Sequence, residues 1–254
     1  MQQARNAKGV AIRFLAFITV TVLLLPGTVS AADFPRLGPE PGRPDSVADW
    51  SGFYFGANLG RPIGSTQTDF PISNGLVLHP PSADMSGVSG GIQAGYNWQA
   101  GAMLLGLETD FQGTNARSSL QTPCVAGICA TPTSAHYDQR ISWFGTIRAR
   151  AGYAFDRAVI YATGGFAYAR IATDAYAVAG ASTAALNRSR IVGGWTVGGG
   201  IELMLASNWT GKVEYLFAGF DRIDGTMGAI GPVTISDRSR IGLNIIRAGI
   251  NYRF

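Results

Sequence analysis

From Trp50 to the last residue, apolar and polar side chains alternate with a period of two, and no helical period of 3.6 residues replaces it. Such alternation puts one set of side chains on each face of a β-strand. In the segment starting at Trp50, Phe53, Phe55, Ala57 and Leu59 share a face, with Tyr54, Gly56 and Asn58 opposite. The next segment sets Val88, Ile92, Ala94, Tyr96 and Trp98 against Ser89, Gly91, Gln93, Gly95 and Asn97. A third strand, about 103–112, sets Met103, Leu105, Leu107 and Phe111 against Gly106, Glu108, Asp110 and Gln112. The fourth, about 140–155, sets Trp143, Ile147, Ala149 and Tyr153 against Thr146, Arg148 and Arg150. In 158–170 both faces are mostly apolar, so alternation does not fix its register. Segments 191–206, 209–219 and 241–254 complete a set of eight, with Glu202, Lys212, Glu214 and Arg247 on their polar faces.

One rival assignment needs the same segment. Met85 to Leu107 is uncharged and long enough for a membrane helix. It contains Gly87, Gly90, Gly91, Gly95, Gly101 and Gly106, with Asn97 and Gln99 near its centre. Two alternating strands joined by a turn explain that composition better.

The connections alternate in length. Those near 99–101, 156–157 and 207–208 are short; those at about 61–85, 113–139, 172–189 and 220–239 are long. The fold class expected is all-β: an eight-stranded antiparallel up-and-down transmembrane β-barrel with short periplasmic turns and four long external loops. A soluble sandwich also alternates, but buries its apolar faces against a second sheet. Here aromatics cluster at the strand ends (Phe53, Trp98, Trp143, Tyr153, Trp195, Trp209, Tyr252), as in the interfacial girdles of a lipid-facing band. A ten-stranded barrel would require a hairpin hidden in 61–85 or 172–189.

An eight-stranded barrel is only wide enough for its own side chains. Its inward faces are expected to carry Glu108, Asp110, Glu202 and Glu214 against Arg148, Arg150, Lys212 and Arg247. Four acids match four bases, and buried charges need partners. The bland reading is a salt-bridge plug. The alternative is an ion pathway built from the same groups.

Composition enters through the charges. The whole chain is +4 with a pI near 9.3, which raises nucleic-acid binding. But Arg5, Lys8 and Arg13 precede the apolar run Phe14 to Leu25, followed by Pro26 and small residues to Ala32. That is the layout of a secretory signal peptide. Cleavage is expected after Ala31 or Ala32, giving a signal peptide at 1–31, a Pro-rich periplasmic linker at 32–49 and a barrel at 50–254. Losing those three cations leaves 17 basic against 16 acidic residues. The mature chain offers no electrostatic case for nucleic acid.

With these segments placed, the residues resemble a known family. Trp50-Ser51-Gly52-Phe53-Tyr54-Phe55-Gly56 is similar to the first strand of the small outer-membrane β-barrel proteins of alphaproteobacteria, the immunogenic surface-protein or "porin family" group. Trp143 to Tyr153 with Tyr161 to Tyr168 resembles that group's central hairpin. Gly194 to Glu202 and Lys212 to Tyr215 continue the likeness, and Ala248 to Phe254 resembles its C-terminal strand. The resemblance implies the outer membrane of a Gram-negative bacterium. It implies contact with lipid and lipopolysaccharide, and a C-terminal signal at Tyr252 and Phe254 read by the barrel-assembly machinery. It implies no single activity; members are described as structural, surface-antigenic or in some cases haem-binding.

The remaining candidates are weaker. Cys124 and Cys129 flank a short stretch of the second long loop, where the exported compartment permits a disulfide. His79 and His136 fall in expected external loops. They read as solvated residues, with haem ligation as the sharper alternative. His136, Asp138 and Ser142 are close in sequence, but proximity does not build a triad, and no enzyme is expected. No cofactor is expected. Gly198-Gly199-Gly200 lies within a strand and makes room for bulky neighbours rather than cradling phosphate. Three functions stand: a structural surface protein of the envelope, a porin for small solutes or ions, and a loop-borne receptor or adhesin. Oligomeric state is not legible.

Overall fold

The computed structural model describes residues 48–71, 73, 75, 77–123, 134–179, 182–230 and 233–254. They form β1 (Gly52–Pro71), β2 (Val77–Leu78), β3 (Ala83–Ser86), β4 (Ser89–Ala100), β5 (Met103–Thr114), β6 (Arg117–Pro123), β7 (Ser134–Phe155), β8 (Ala158–Ala179), β9 (Ser182–Met204), β10 (Trp209–Ile230) and β11 (Val233–Arg253). Eight of these close a ring in the order β1-β4-β5-β7-β8-β9-β10-β11, every neighbour antiparallel. Closure is the β1–β11 ladder, which runs from Tyr54 opposite Arg253 to Asp69 opposite Arg238. In hydrocarbon this closure is compulsory, since an open edge would leave backbone groups unpaired at a cost of several kcal/mol each. The expected signal peptide, most of the Pro-rich linker, and Cys124 and Cys129 lie outside the described residues.

The two faces divide as alternation dictates. Phe53, Leu59, Ile92, Trp98, Leu105, Leu107, Phe111, Ile147, Trp195 and Val213 project outward, while Asn58, Gln93, Glu108, Asp110, Arg148 and Glu202 are buried inside. The ambiguous strand resolves on β8. Val159, Tyr161, Thr163, Ala167 and Ala169 point in, and Ile160 and Phe166 point out. Both of its faces are apolar because the lumen has an apolar section of its own at that level.

The strands run further than their sequence contrast suggests. On the outer side β1 continues to Pro71, β8 to Ala179 and β10 to Ile230. Most of 172–189 and 220–239, expected as loop, is therefore paired strand. Beyond the lipid the outward positions turn polar, as at Arg140, Asp138, Asp174 and Arg238. The contrast between faces disappears there while the hydrogen-bond ladder persists. Breaks mark the crossing point. β3 and β6 continue the lines of β4 and β5 past Gly87-Val88 and Asn115-Ala116, β7 bulges between Ile141 and Trp143, and β10 shifts register between Phe220 and Ile223. Bulges of this kind bend a strand and re-aim its side chains. The β9–β10 ladder also ends at Phe220 opposite Gly194.

Candidate functional site

The lumen is filled in layers, and the charged layer is built by strands on every side of the barrel. Arg148 on β7 donates from Nη1 to Glu214 Oε1 (3.0 Å) and from Nη2 to Asp110 Oδ2 (3.2 Å), and also pairs with Glu108. Arg247 on β11 donates from Nε to Glu214 Oε2 (2.6 Å) and from Nη1 to Asp110 Oδ2 (3.0 Å). Lys212 on β10 reaches both oxygens of Glu108, at 2.9 and 2.7 Å. Arg150 binds Glu202 at 2.8 Å and lies 3.7 Å from Glu108. The structure thus brings all eight inward charges named from the sequence into one connected cluster, every one of them buried.

Neutral groups complete it. Tyr54 donates to Glu108 (2.7 Å), Tyr161 to Glu214 (3.1 Å), Thr146 to Asp110 (2.7 Å), and Thr210 and Asn251 to Glu202 (2.6 and 2.8 Å). The Arg150 guanidinium stacks on the Tyr161 ring at 4.0 Å. Asn58 and Gln93 extend the network toward Asn251. Sequence reasoning did not assign these residues to the site. The signal was present, because each sits at inward parity on a strand whose register was already legible, except Tyr161 on the ambiguous β8.

On the periplasmic side the layer is capped by an apolar plug. Trp50, only 1% exposed, packs with Leu104, Ala154, Val159 and Tyr161. Its amide donates to Gln99 Oε1 (2.6 Å), and Arg253 lies over its ring at 5.2 Å. Nearby, Asp49 accepts from the Ser51 amide (2.9 Å), a bond that holds its carboxyl below the usual carboxylate range. On the outer side the same faces change character. Leu216, Ala218 and Phe220 follow Glu214 along β10; Ile245, Leu243 and Ile241 precede Arg247 on β11; Phe144 and Ile141 lie beyond Arg148 on β7. With Ala167, Ala169 and Ile171 they form one buried apolar cluster.

A polar tier closes the outer end. Tyr137 bonds Ser239 (2.9 Å) and Asp237 (3.2 Å), Thr68 bonds Ser239 (3.1 Å), and Arg188 pairs with Asp237 (2.8 Å). Burial pushes the Tyr137 hydroxyl up to about 12.

The other candidates are not brought together. His79 bonds Asp69 at 2.7 Å on the exposed surface. His136 lies on β7, not in a loop, and stacks on Tyr176 with ring centroids 4.4 Å apart. Ser142 sits at the β7 bulge, and Asp138 faces outward beyond it. Among the described residues no three His, Cys, Asp or Glu side chains are grouped to hold a metal ion. At the C-terminus Tyr252 and Phe254 stack edge to face at 5.2 Å on the outer wall, and the Phe254 amide donates to the Phe53 carbonyl at 3.0 Å.

A family model for the outer membrane protein beta-barrel domain matches residues 20–254. The 31 kDa outer-membrane immunogenic protein of Brucella melitensis is 33% identical over 228 residues, covering 85% of this chain and 90% of the relative. The 25 kDa outer-membrane immunogenic protein of Brucella abortus is 25% identical over 246 residues, covering 96% and 99%. Among solved structures, outer membrane protein OprG of Pseudomonas aeruginosa aligns with a TM-score of 0.49 at 10% identity, over 80% of this chain and 96% of that one.

Proposed function

The chain belongs to the outer membrane protein beta-barrel domain family, and from that premise we propose that it serves as a structural surface protein of the envelope whose lumen is closed to solutes. It is an integral outer-membrane β-barrel with buried salt bridges. The observation that carries the closed-lumen reading is the stack of Trp50 plug, charged layer and apolar layer, whose largest members (Trp50, Arg148, Phe144, Leu216, Leu243) are each less than 2% exposed. A barrel of eight strands has no room for a pore beside such side chains. A solute would have to break a connected, buried ionic network and then displace a packed apolar layer.

Planar-bilayer recording of the purified protein tests this. The expected record has no steady ohmic openings; regular openings that change on Arg148→Ala or Glu214→Gln would overturn it and favour the porin reading. The strand extensions beyond the outer girdle present polar surface outside the cell. The Brucella relatives are named immunogenic, and a surface-displayed role follows for this chain. Antibody raised against residues 172–189 should label intact cells. The reading assigns a surface role rather than an enzymatic one, in keeping with relatives named outer-membrane immunogenic proteins. It also includes cleavage after Ala31 or Ala32, with 32–49 as a periplasmic linker ending at the Trp50 plug, which N-terminal sequencing of the mature protein checks. Tyr252 and Phe254 are proposed as the signal read by the assembly machinery.

A further inference from the structure

The outer wall just beyond the aromatic girdle carries a group of arginines that the lumen does not use. Arg117 on β6 and Arg140 on β7 are directly opposite in register. Both are exposed on the outer face. Like charges in opposed positions, with Cβ atoms about 4.5–5.5 Å apart, destabilise a strand pair. Arg170 on β8, opposite Trp143, stands on the same face one step toward the lipid. The ion pairs of the outer section join His79 to Asp69, Arg188 to Asp237 and Arg238 to Asp224; Arg117, Arg140 and Arg170 take part in none of them. Arg170 is steered by a bond from its Nε to Ser189 Oγ (2.9 Å). Arg140 and Arg170 line a depression of about 220 Å³, completed by Ser142, Trp143, Ala172, Asp174, Asn187 and Ser189; the Asp174 carboxylate in that lining accepts from Asn187 Nδ2 at 2.6 Å.

We propose that Arg117, Arg140 and Arg170 form a binding site for the phosphate of a phosphorylated glycolipid in the outer leaflet. Height selects the ligand. The depression opens at Trp143, whose ring packs against Phe111 and Tyr168 in the outer girdle. Aromatic girdles sit at headgroup level, so a lipid whose chains lie along Ile147 and Phe166 places its headgroup phosphate among these guanidiniums. Guanidinium forks match phosphate oxygens geometrically. A dianion seated between Arg117 and Arg140 turns their repulsion into shared attraction. Ser142 and Ser189 supply neutral polar groups to the sugar, while Asn187 holds the Asp174 carboxylate. The site rests on the outer-membrane placement but not on the lumen being closed, so a conducting barrel that binds this lipid leaves it standing.

The test uses the full mature barrel in a non-ionic detergent, with native mass spectrometry reading bound lipid. The probes are bis-phosphorylated lipid A, the same lipid dephosphorylated, and inorganic phosphate. The expected result is that the Arg117→Ala/Arg140→Ala/Arg170→Ala variant binds bis-phosphorylated lipid A at least about tenfold more weakly than the wild type. Arg240→Ala, on β11 across the barrel, should bind like the wild type. Equal binding of the dephosphorylated lipid by wild type, or no loss in the triple variant, would overturn the site. Equal weakening by Arg240→Ala would overturn its location, and inorganic phosphate binding as tightly as the lipid would reassign it to a soluble anion. Heat-modifiable gel mobility reports folding of each variant. Should the triple variant fail to fold, Arg140→Gln separates ligand from structure. It should raise the unfolding midpoint in phosphate-free detergent by relieving the Arg117 repulsion, and weaken lipid A binding. A lowered midpoint with unchanged binding would make Arg140 structural and sink the proposal.

Discussion

Glu108 answers four cations: Arg148, Arg150, Lys212 and Arg247 all reach it, and Tyr54 donates to it as well. Removing one member of such a buried set leaves its partners uncompensated, which costs about 3–5 kcal/mol. Arg148→Met is therefore expected to lower barrel stability by that order, read as the urea midpoint of heat-modifiable mobility in lipid vesicles. Full wild-type stability in that variant would mean that the ionic layer adds nothing. The opposite sign governs Tyr137, which lies outside the lipid beyond Trp143. Tyrosine in the unfolded chain ionises near 10, and burial raises the folded value to about 12. Its contribution to stability is complete below about pH 10 and is lost as pH rises toward about 12. Tyr137→Phe should flatten that alkaline decline, and an unchanged slope would contradict it. Glycine matters where backbones and rings close in. A Cβ at Gly200 would lie 2.8 Å from the Tyr161 hydroxyl and 2.5 Å from the Val213 carbonyl oxygen. Gly200→Ala should therefore displace Tyr161 from Glu214 and cost about 1–3 kcal/mol.

Strands behave as two-sided elements inside the lipid and as something different beyond it. Leu107 and Glu108 are adjacent on β5, one half-exposed to the acyl chains and the other sealed in the lumen. Leu107 lies midway between Met103 and Phe111, so Leu107→Arg is expected to cost about 2–4 kcal/mol in a bilayer. A variant that folds into vesicles as stably as the wild type would show that this face is not at the midplane. Alternation read the lipid-spanning parts of seven strands because burial contrast there is maximal. It failed on β8, where inward Ala167, Ala169 and Ile171 are as apolar as outward Phe166. It also stopped short at 172–189 and 220–239, where both faces meet polar surroundings and only the backbone ladder defines a strand. Phe254 belongs to this scale too. Its exposed ring just past the final strand is the group proposed for assembly, and Phe254→Ala should lower the amount of folded barrel in outer-membrane fractions without changing its stability once folded.

For the molecule as a whole, closure and filling work together. Trp50 seals the periplasmic mouth, yet Trp50→Ala alone should leave the barrel non-conducting, because the charged and apolar layers lie beyond it; bilayer openings in that variant would show that the plug alone holds the lumen shut. The eight inward charges were legible from parity and sign balance. Their pairing was not, since Glu108 and Lys212 stand 104 residues apart and meet only when the ring closes. Parity alone sets Leu216 on the inward face with Lys212 and Glu214, opposite Val213; that it packs with Phe144 and Leu243 into an apolar layer, and that Trp50 plugs the other end, was out of reach. By itself, then, the chain's order of residues determined a closed, membrane-spanning β-barrel with its polar face inward. It did so because alternation, girdle aromatics and the ban on open edges in lipid are local or generic constraints. Tertiary structure alone decided which charge meets which, what fills the remaining lumen and where arginines oppose one another on the outer wall. Those outcomes depend on cross-strand register around a closed ring, a quantity that no single strand contains.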